Sequence, residues 1–229
     1  RMSKHVFIAG AGDPAGIRMV KDFQKMGYTV AAAVTPETDA AAVGAEIVLT
    51  IDPLSHDSAK AAAAEMEKLW GKVDLLAVNI DGTPEEDPKT ILDEPDYAAL
   101  KWAYEYNSLG ALRIIDAFMP LLQKGEGKRI CAVTTLDSSN NYTRGSDNFA
   151  RHISKAPLNM ALNQLFNKYR PDGFTFRVYC KDMDAGPEKA GEFAAEYFTR
   201  NRSNEPESYK HSDENRLVMR DLMGIEIPW

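Results

Sequence analysis

The chain has 229 residues, 44% of them hydrophobic, which suits one α/β domain with a single sizeable core. A formal net charge of -7 argues against nucleic acid as a partner, because a phosphate-binding face needs clustered Lys and Arg. No apolar run approaches the roughly 20 residues of a membrane span, so no membrane partner is expected.

Arg1 ahead of Met2 reads as the remnant of an expression tag. The chain then passes from Ser3-Lys4-His5 straight into a strand-like run, so no signal peptide and a cytoplasmic location are expected. Cys131 and Cys180 both fall in strand-like runs and read as buried reduced thiols rather than a disulfide or metal site. His5-Val6-Phe7-Ile8-Ala9 is an apolar run ending in glycines, and Ile17, Val20, Phe23 and Met26 follow at helical spacing, closed by Gly27. Segments 28–34 and 45–51 read as strands, 58–70 as an Ala-rich helix, 73–78 as a fourth strand and 84–95 as an acidic, Pro-containing loop. A long helix is predicted over 97–119, stopping at Pro120, followed by a strand at 129–134 and a polar loop at 137–147. A second long helix over 149–169 and a sixth strand at 174–180 complete the pattern. Repeated β-α-β spacing of this kind predicts a Rossmann-like doubly wound parallel sheet with helices on both faces and right-handed crossovers, as one domain over 1–229. The tail is polar and poorly periodic, and 184–215 reads as a lid or a mobile segment. Tyr197-Phe198 and the group Leu217, Met219, Leu222, Met223 suggest two helices that could cover a site, and Ile225 to Trp229 forms an apolar hook for the core or a neighbour.

The turn Gly10-Ala11-Gly12-Asp13-Pro14-Ala15-Gly16, followed by Ile17, links the first strand to the first helix. Glycines there let a backbone approach a pyrophosphate, and the helix N-terminus offers unpaired N–H groups. The spacing departs from G-x-G-x-x-G, and Asp13 sets a negative charge beside the expected phosphates. The alternative is a tight turn that binds nothing. At the end of the second strand, Val34-Thr35-Pro36-Glu37-Thr38-Asp39 contains no arginine. Its acids would repel a 2′-phosphate and so favour NAD over NADP, or they are solvated loop residues.

Several landmarks then fall in order. Asp52 follows the third strand, and Val78-Asn79-Ile80-Asp81-Gly82 follows the fourth. Trp102, Asn107, Gly110 and Pro120 fit a W…N-x-x-G…P pattern, and Ser154-Lys155 precedes Leu158-Asn159-Met160. In these features the chain resembles the short-chain dehydrogenase/reductase family over roughly residues 4–183. The resemblance implies NAD(P) as cofactor, held by Gly10, Gly12, Gly16, Ile17, Asp52, Asn79 and Lys155, and a catalytic set including Asn107 and Lys155. In the family, a tyrosine four residues before the lysine moves a proton at the substrate oxygen; here that position is Arg151. A guanidinium stays charged and cannot act as a general acid or base near neutrality. The family's serine falls on Thr135 when read along the fifth strand and on Ser138 when counted back from Arg151. Asp182-Met183 replaces the Pro-Gly after the sixth strand, and Pro157 is placed to bend the backbone beside Lys155.

Arg151 and Lys155, four apart, are expected on one helix face with a carboxylate between them, from Asp81, Asp182 or Asp184. Two readings stay open. In the first, the protein is an NAD(P)-dependent oxidoreductase acting on a small, anionic carbonyl or hydroxyl compound gripped by Arg151. Tyr142, His152 or a water held by Asn107 and Lys155 then supplies the proton, although His152 is expected to point about 100° away from Arg151. In the second, the chain is a pseudoenzyme, with or without a bound nucleotide: a subunit of a homo- or hetero-oligomer with an active homologue, pairing through the helices at 97–119 and 149–169, or a nucleotide-sensing or scaffold subunit.

Overall fold

The computed structural model describes residues 4–82, 89–181, 186–187 and 189–229. One 8-stranded sheet has the order β3-β2-β1-β4-β5-β6-β7-β8. The strands are β1 (His5–Ala9), β2 (Thr29–Val34), β3 (Ile47–Thr50), β4 (Leu75–Val78), β5 (Arg129–Thr135), β6 (Thr175–Lys181), β7 (Met219–Arg220) and β8 (Glu226–Ile227). All neighbours are parallel except β7 and β8. The inner strands are continuously apolar, as parallel strands covered on both faces must be.

Helices cover both faces, as the sequence pattern predicts. One core layer joins α2 (His56–Leu69), α4 (Gly110–Lys124) and α6 (Ala156–Tyr169) to the sheet through Met66, Phe118 and Leu162 against Phe7 and Leu76. The other joins α1 (Pro14–Lys25) and α7 (Ala194–Thr199) through Phe23 and Tyr197 against Ile8 and Ala32. Strand order reverses between β1 and β4, so a crevice opens at their C-terminal ends, where open α/β sheets bind ligands. Cys131 and Cys180 are buried without a disulfide.

Four local expectations change. Pro120 does not stop its helix: α4 runs on to Lys124. Pro120 and the Asp116 carbonyl it cannot serve both lie on the exposed side, where water can satisfy the missing bond. The long helix is also interrupted, since α3 (Tyr97–Tyr104) meets α4 through one wide π-helical turn, Glu105–Leu109. The helix expected over 149–169 breaks into α5 (Phe149–Ile153) and α6, because Pro157 has no N–H to continue the ladder. In the tail, Tyr197-Phe198 does form a helix, α7, but it packs into the core beside α1 instead of covering the strand ends. The second expected helix is replaced by β7 and β8, which extend the sheet, with Met219 opposite Val178 and Ile227. Residues 184, 185 and 188 of the expected lid lie outside the described residues; 189–215 includes α7 and the buried Asp213.

Candidate active site

The glycine turn is shaped by the crevice. Gly10 has φ +81°, and a Cβ there would lie 2.1 Å from the Asn79 carbonyl oxygen, so only glycine lets β1 and β4 approach this closely. The Asn79 side-chain amide closes the crevice by donating to Gly10 O (2.8 Å) and to Asp13 Oδ1 (2.7 Å). Asp13 is the N-cap of α1: Oδ1 also accepts from the Gly16 N–H at 2.7 Å. Gly12 faces the loop after β2, where a Cβ would sit 2.1 Å from the Thr38 methyl.

A cleft of about 140 Å³ lies over this turn, lined by Gly10, Gly12, Asp13, Glu37, Asn79 and Asp81 among others. Tyr106, from the π-helical turn, reaches across it and donates to Glu37 Oε1 at 3.1 Å. Burial, with the Glu37 charge beside it, pushes the Tyr106 phenol up to about 12. Gly16, Ile17 and Asp52 lie outside this lining; Asp52 Oδ1 accepts from its own loop at Leu54 N (2.9 Å). Asp39 likewise caps its own turn, accepting from Ala41 N (2.9 Å), so of the two acids after β2 it is Glu37 that faces the cleft.

Below the cleft runs a chain of alternating charges. Lys181 Nζ, at the end of β6, lies 3.2 Å from Asp13 Oδ2 and 2.7 Å from Asp81 Oδ2. Asp81 Oδ1 in turn lies 3.2 Å from Lys155 Nζ. Both lysines are 2% exposed, so these charges survive only by pairing. Burial alone would raise Asp81, but the two ammoniums outweigh it and hold the carboxyl well below the usual range. Burial would lower Lys181, but Asp81 and Asp13 outweigh it and raise this lysine. Lys155, buried with a single carboxylate at hand and Lys181 nearby, is lowered.

The expectation that Arg151 and Lys155 share a helix face with one carboxylate between them is therefore corrected. The break before α6 turns Lys155 toward Asp81, while Arg151, on α5, pairs with Asp137 Oδ2 at 2.8 Å. Asp182, Met183 and Asp184 lie outside the described residues. His152 does not point away either: its Nε2 approaches the same Asp137 at 3.7 Å, and its Nδ1 lies 2.8 Å from Asp147 O. Asn107 donates both amide hydrogens, to Gly82 O (2.8 Å) and Ser154 Oγ (3.0 Å), and accepts from Gly82 N (2.7 Å). It thus ties the β4 loop to the helix break and has no N–H left for a water shared with Lys155.

A second cavity, of about 340 Å³, is lined by Thr135, Tyr142, Arg144, Arg151, His152 and Lys181, together with Asp137. Thr135 stands directly opposite Lys181 in the β5–β6 register. Ser138 instead turns inward, donating to Thr135 O (2.7 Å) and accepting from Asn159 Nδ2 (3.1 Å). Of the two candidates for the serine position, Thr135 is the one that borders this cavity. Lys181 was missed in the sequence. A lysine one residue beyond an apolar strand reads as a surface residue, and only the edge it shares with Asp13 and Asp81 could have flagged it.

A topological switch point, a glycine turn into a helix N-terminus and a buried lysine at the adjoining helix break define a nucleotide-binding type of α/β protein. The family model for short chain dehydrogenases matches residues 4–182. The chain belongs to the short-chain dehydrogenase family. It is 31% identical over 182 residues, 75% of this chain and 70% of the other, to an uncharacterized oxidoreductase of Schizosaccharomyces pombe. Among solved structures, it resembles a provisionally named carbonyl reductase, Sniffer, of Caenorhabditis elegans, with TM-score 0.79, 17% identity and all of both chains covered. It also resembles a provisionally named short-chain dehydrogenase/reductase of Burkholderia multivorans with NADP bound, with TM-score 0.77, 16% identity and 99% and 100% of the two chains covered. At these identities the two structures speak for the fold. Among the described residues, no helix is long and apolar enough to cross a membrane, and no acid, His and Cys cluster could hold a metal ion.

Proposed function

We infer that the protein is an oxidoreductase that uses a nicotinamide dinucleotide and acts on a small, anionic carbonyl or hydroxyl compound. The carrying observation is that two cavities share one wall. Lys181 lines the larger, cation-rich cavity, and its ammonium pairs with Asp13 and Asp81, which line the cleft over the glycine turn. A cofactor cleft abutting a substrate pocket is the arrangement a two-substrate redox reaction needs.

The ribose hydroxyls of a dinucleotide find partners here. Lys155 Nζ, whose ion pair with Asp81 lacks hydrogen-bond geometry, and Asn79 Oδ1 are buried without a hydrogen-bond partner among the described residues. They offer a donor and an acceptor to ribose hydroxyls. Glu37 at the end of β2 suits ribose hydroxyls and repels a 2′-phosphate, which supports NAD over NADP. The phosphates fit least well, because the Asp13 carboxylate caps the helix end that would receive them. The bound cofactor supplies or accepts hydride. In the larger cavity, Thr135 and Lys181 hold the substrate oxygen, and Arg151 or Arg144 takes its anionic group by charge-assisted hydrogen bonds. Because the position of the family's tyrosine is Arg151, the proton reaches that oxygen through Tyr142 or His152, which border the same cavity.

Calorimetric titration with NADH and NADPH, in separate runs, tests the reading. Binding of NADH, tighter than that of NADPH, is expected; no binding of either at millimolar concentration contradicts it. Self-association belongs to the same reading: Leu109, Leu112, Met119 and Leu165 of the α4–α6 region line a half-open apolar groove of about 380 Å³. Light scattering should report twice the chain mass, and a monomer would refute this part.

A further inference from the structure

We propose that the Asp13 carboxylate occupies, from within the chain, the position of the cofactor's pyrophosphate, so that Asp13 sets how tightly a dinucleotide binds. The proposal rests on the reading of the cleft as a dinucleotide site.

The first N–H groups of a helix have no partner inside it and attract an anion. In α1 that anion is already present. Asp13 Oδ1 accepts from Gly16 N and from Asn79 Nδ2, both at 2.7 Å. A Ser or Thr would cap the helix equally well without charge. The carboxylate does more than cap, since its Oδ2 engages Lys181, and Lys181 is held on its other side by Asp81. Two lysines and two aspartates alternate from Asp13 to Lys155 and sum to zero charge.

A pyrophosphate entering this cleft brings two negative charges to a lining that already presents Asp13, Glu37 and Asp81. The cation nearest to hand, Lys181, is committed on both sides. The space is also small: about 140 Å³, against roughly 300 Å³ or more for ordinary small-molecule sites. The Thr38 methyl packs against Gly12, the residue whose bare backbone should face the phosphates. Binding therefore requires the Asp13 carboxylate to swing off the helix end. That movement frees Gly16 N and one N–H of Lys181 for the phosphates. Neutralising Asp13 removes its charge and releases Lys181 from it in advance, and leaves the remaining chain, Lys181–Asp81–Lys155, with one net positive charge.

The test compares the whole chain with Asp13→Ser, which keeps a capping hydroxyl, and Asp13→Asn, which keeps the shape. Thermal unfolding verifies that each variant is folded, and calorimetry reads NADH and adenosine on all three proteins. NADH should bind at least about tenfold more tightly to both variants, the size of one relieved like-charge contact or one charge-assisted hydrogen bond gained. Adenosine, which carries no phosphate, should bind all three alike. Equal or weaker NADH binding by the folded variants overturns the proposal while leaving the dinucleotide reading intact. Equal tightening of adenosine also overturns it, because the cleft has then merely loosened. If none of the three binds NADH, the proposal and the reading fall together.

Discussion

At the scale of single residues, the site depends on Asp81. It stands between two buried ammoniums, 3.2 Å from Lys155 and 2.7 Å from Lys181. Asp81→Asn leaves Lys155 without a carboxylate and Lys181 with Asp13 alone, and should cost about 3–5 kcal/mol, the usual penalty for removing one partner of a buried pair, read from urea unfolding. The pH dependence follows from the direction of the shifts. The carboxyl of Asp81 is held below its unfolded value of about 3.9, so its contribution is fully present above that value and is lost as pH falls through the folded value. Lys181 is raised, so its contribution is present below its unfolded value of about 10.4 and is lost as pH rises through the folded value. The wild-type urea midpoint should therefore fall on both the acid and the alkaline side, and the Asp81→Asn chain should show a shallower acid limb. Unchanged acid limbs would contradict the pairing. Asp81 was visible in the sequence as a charge within a motif, but its partner Lys181 was not. Burial of that lysine is a product of three loops meeting at one sheet edge, which no local pattern encodes.

At the scale of elements, regular periodicity carried the reading far and proline carried it unevenly. Every predicted strand from β1 to β6 is present. Pro157 does more than the bend expected beside Lys155 and splits α5 from α6, whereas Pro120, expected to stop its helix, is tolerated because its lost bond faces solvent. The turn at Glu105–Leu109 was not legible: it exists to aim Asn107 at Gly82, a contact 25 residues away in sequence. The end of the chain was misread for the same kind of reason. Met219 and its neighbours are too few to show a strand period, and β7 is held by tertiary charges. Asp213, 1% exposed, takes two hydrogen bonds from Arg220, at 2.6 and 2.9 Å, and one from the Tyr197 hydroxyl at 3.2 Å. Glu214 beside it binds both Arg129 and Arg177 at 2.6 Å. Asp213→Asn should therefore loosen residues 200–229 and lower stability by about 3 kcal/mol or more. Limited proteolysis should then cut first in that segment; cleavage no faster than in wild type would show that β7 and β8 hold without the clamp.

At the scale of the whole molecule, the family fold is intact and carries paired charges at its strand ends. The glycine turn holds Asp13, the loop after β4 holds Asp81, β6 ends in Lys181, and Arg151 stands four residues before Lys155. These charges are complementary: the two acids and two lysines neutralise one another beneath the cleft over the glycine turn, and the cationic surplus faces the neighbouring cavity. On the proposed function, this cavity receives an anionic carbonyl compound for reduction. The most direct measurement follows NADH consumption at saturating cofactor with matched pairs of carbonyl compounds, each pair differing only in a carboxylate or phosphate replaced by its neutral ester or alcohol. The account predicts turnover of the anionic member, faster by about tenfold or more in kcat/KM, as one charge-assisted contact with Arg151 or Arg144 would give. Equal turnover of both members, preference for the neutral one, or no NADH consumption with any pair would contradict it.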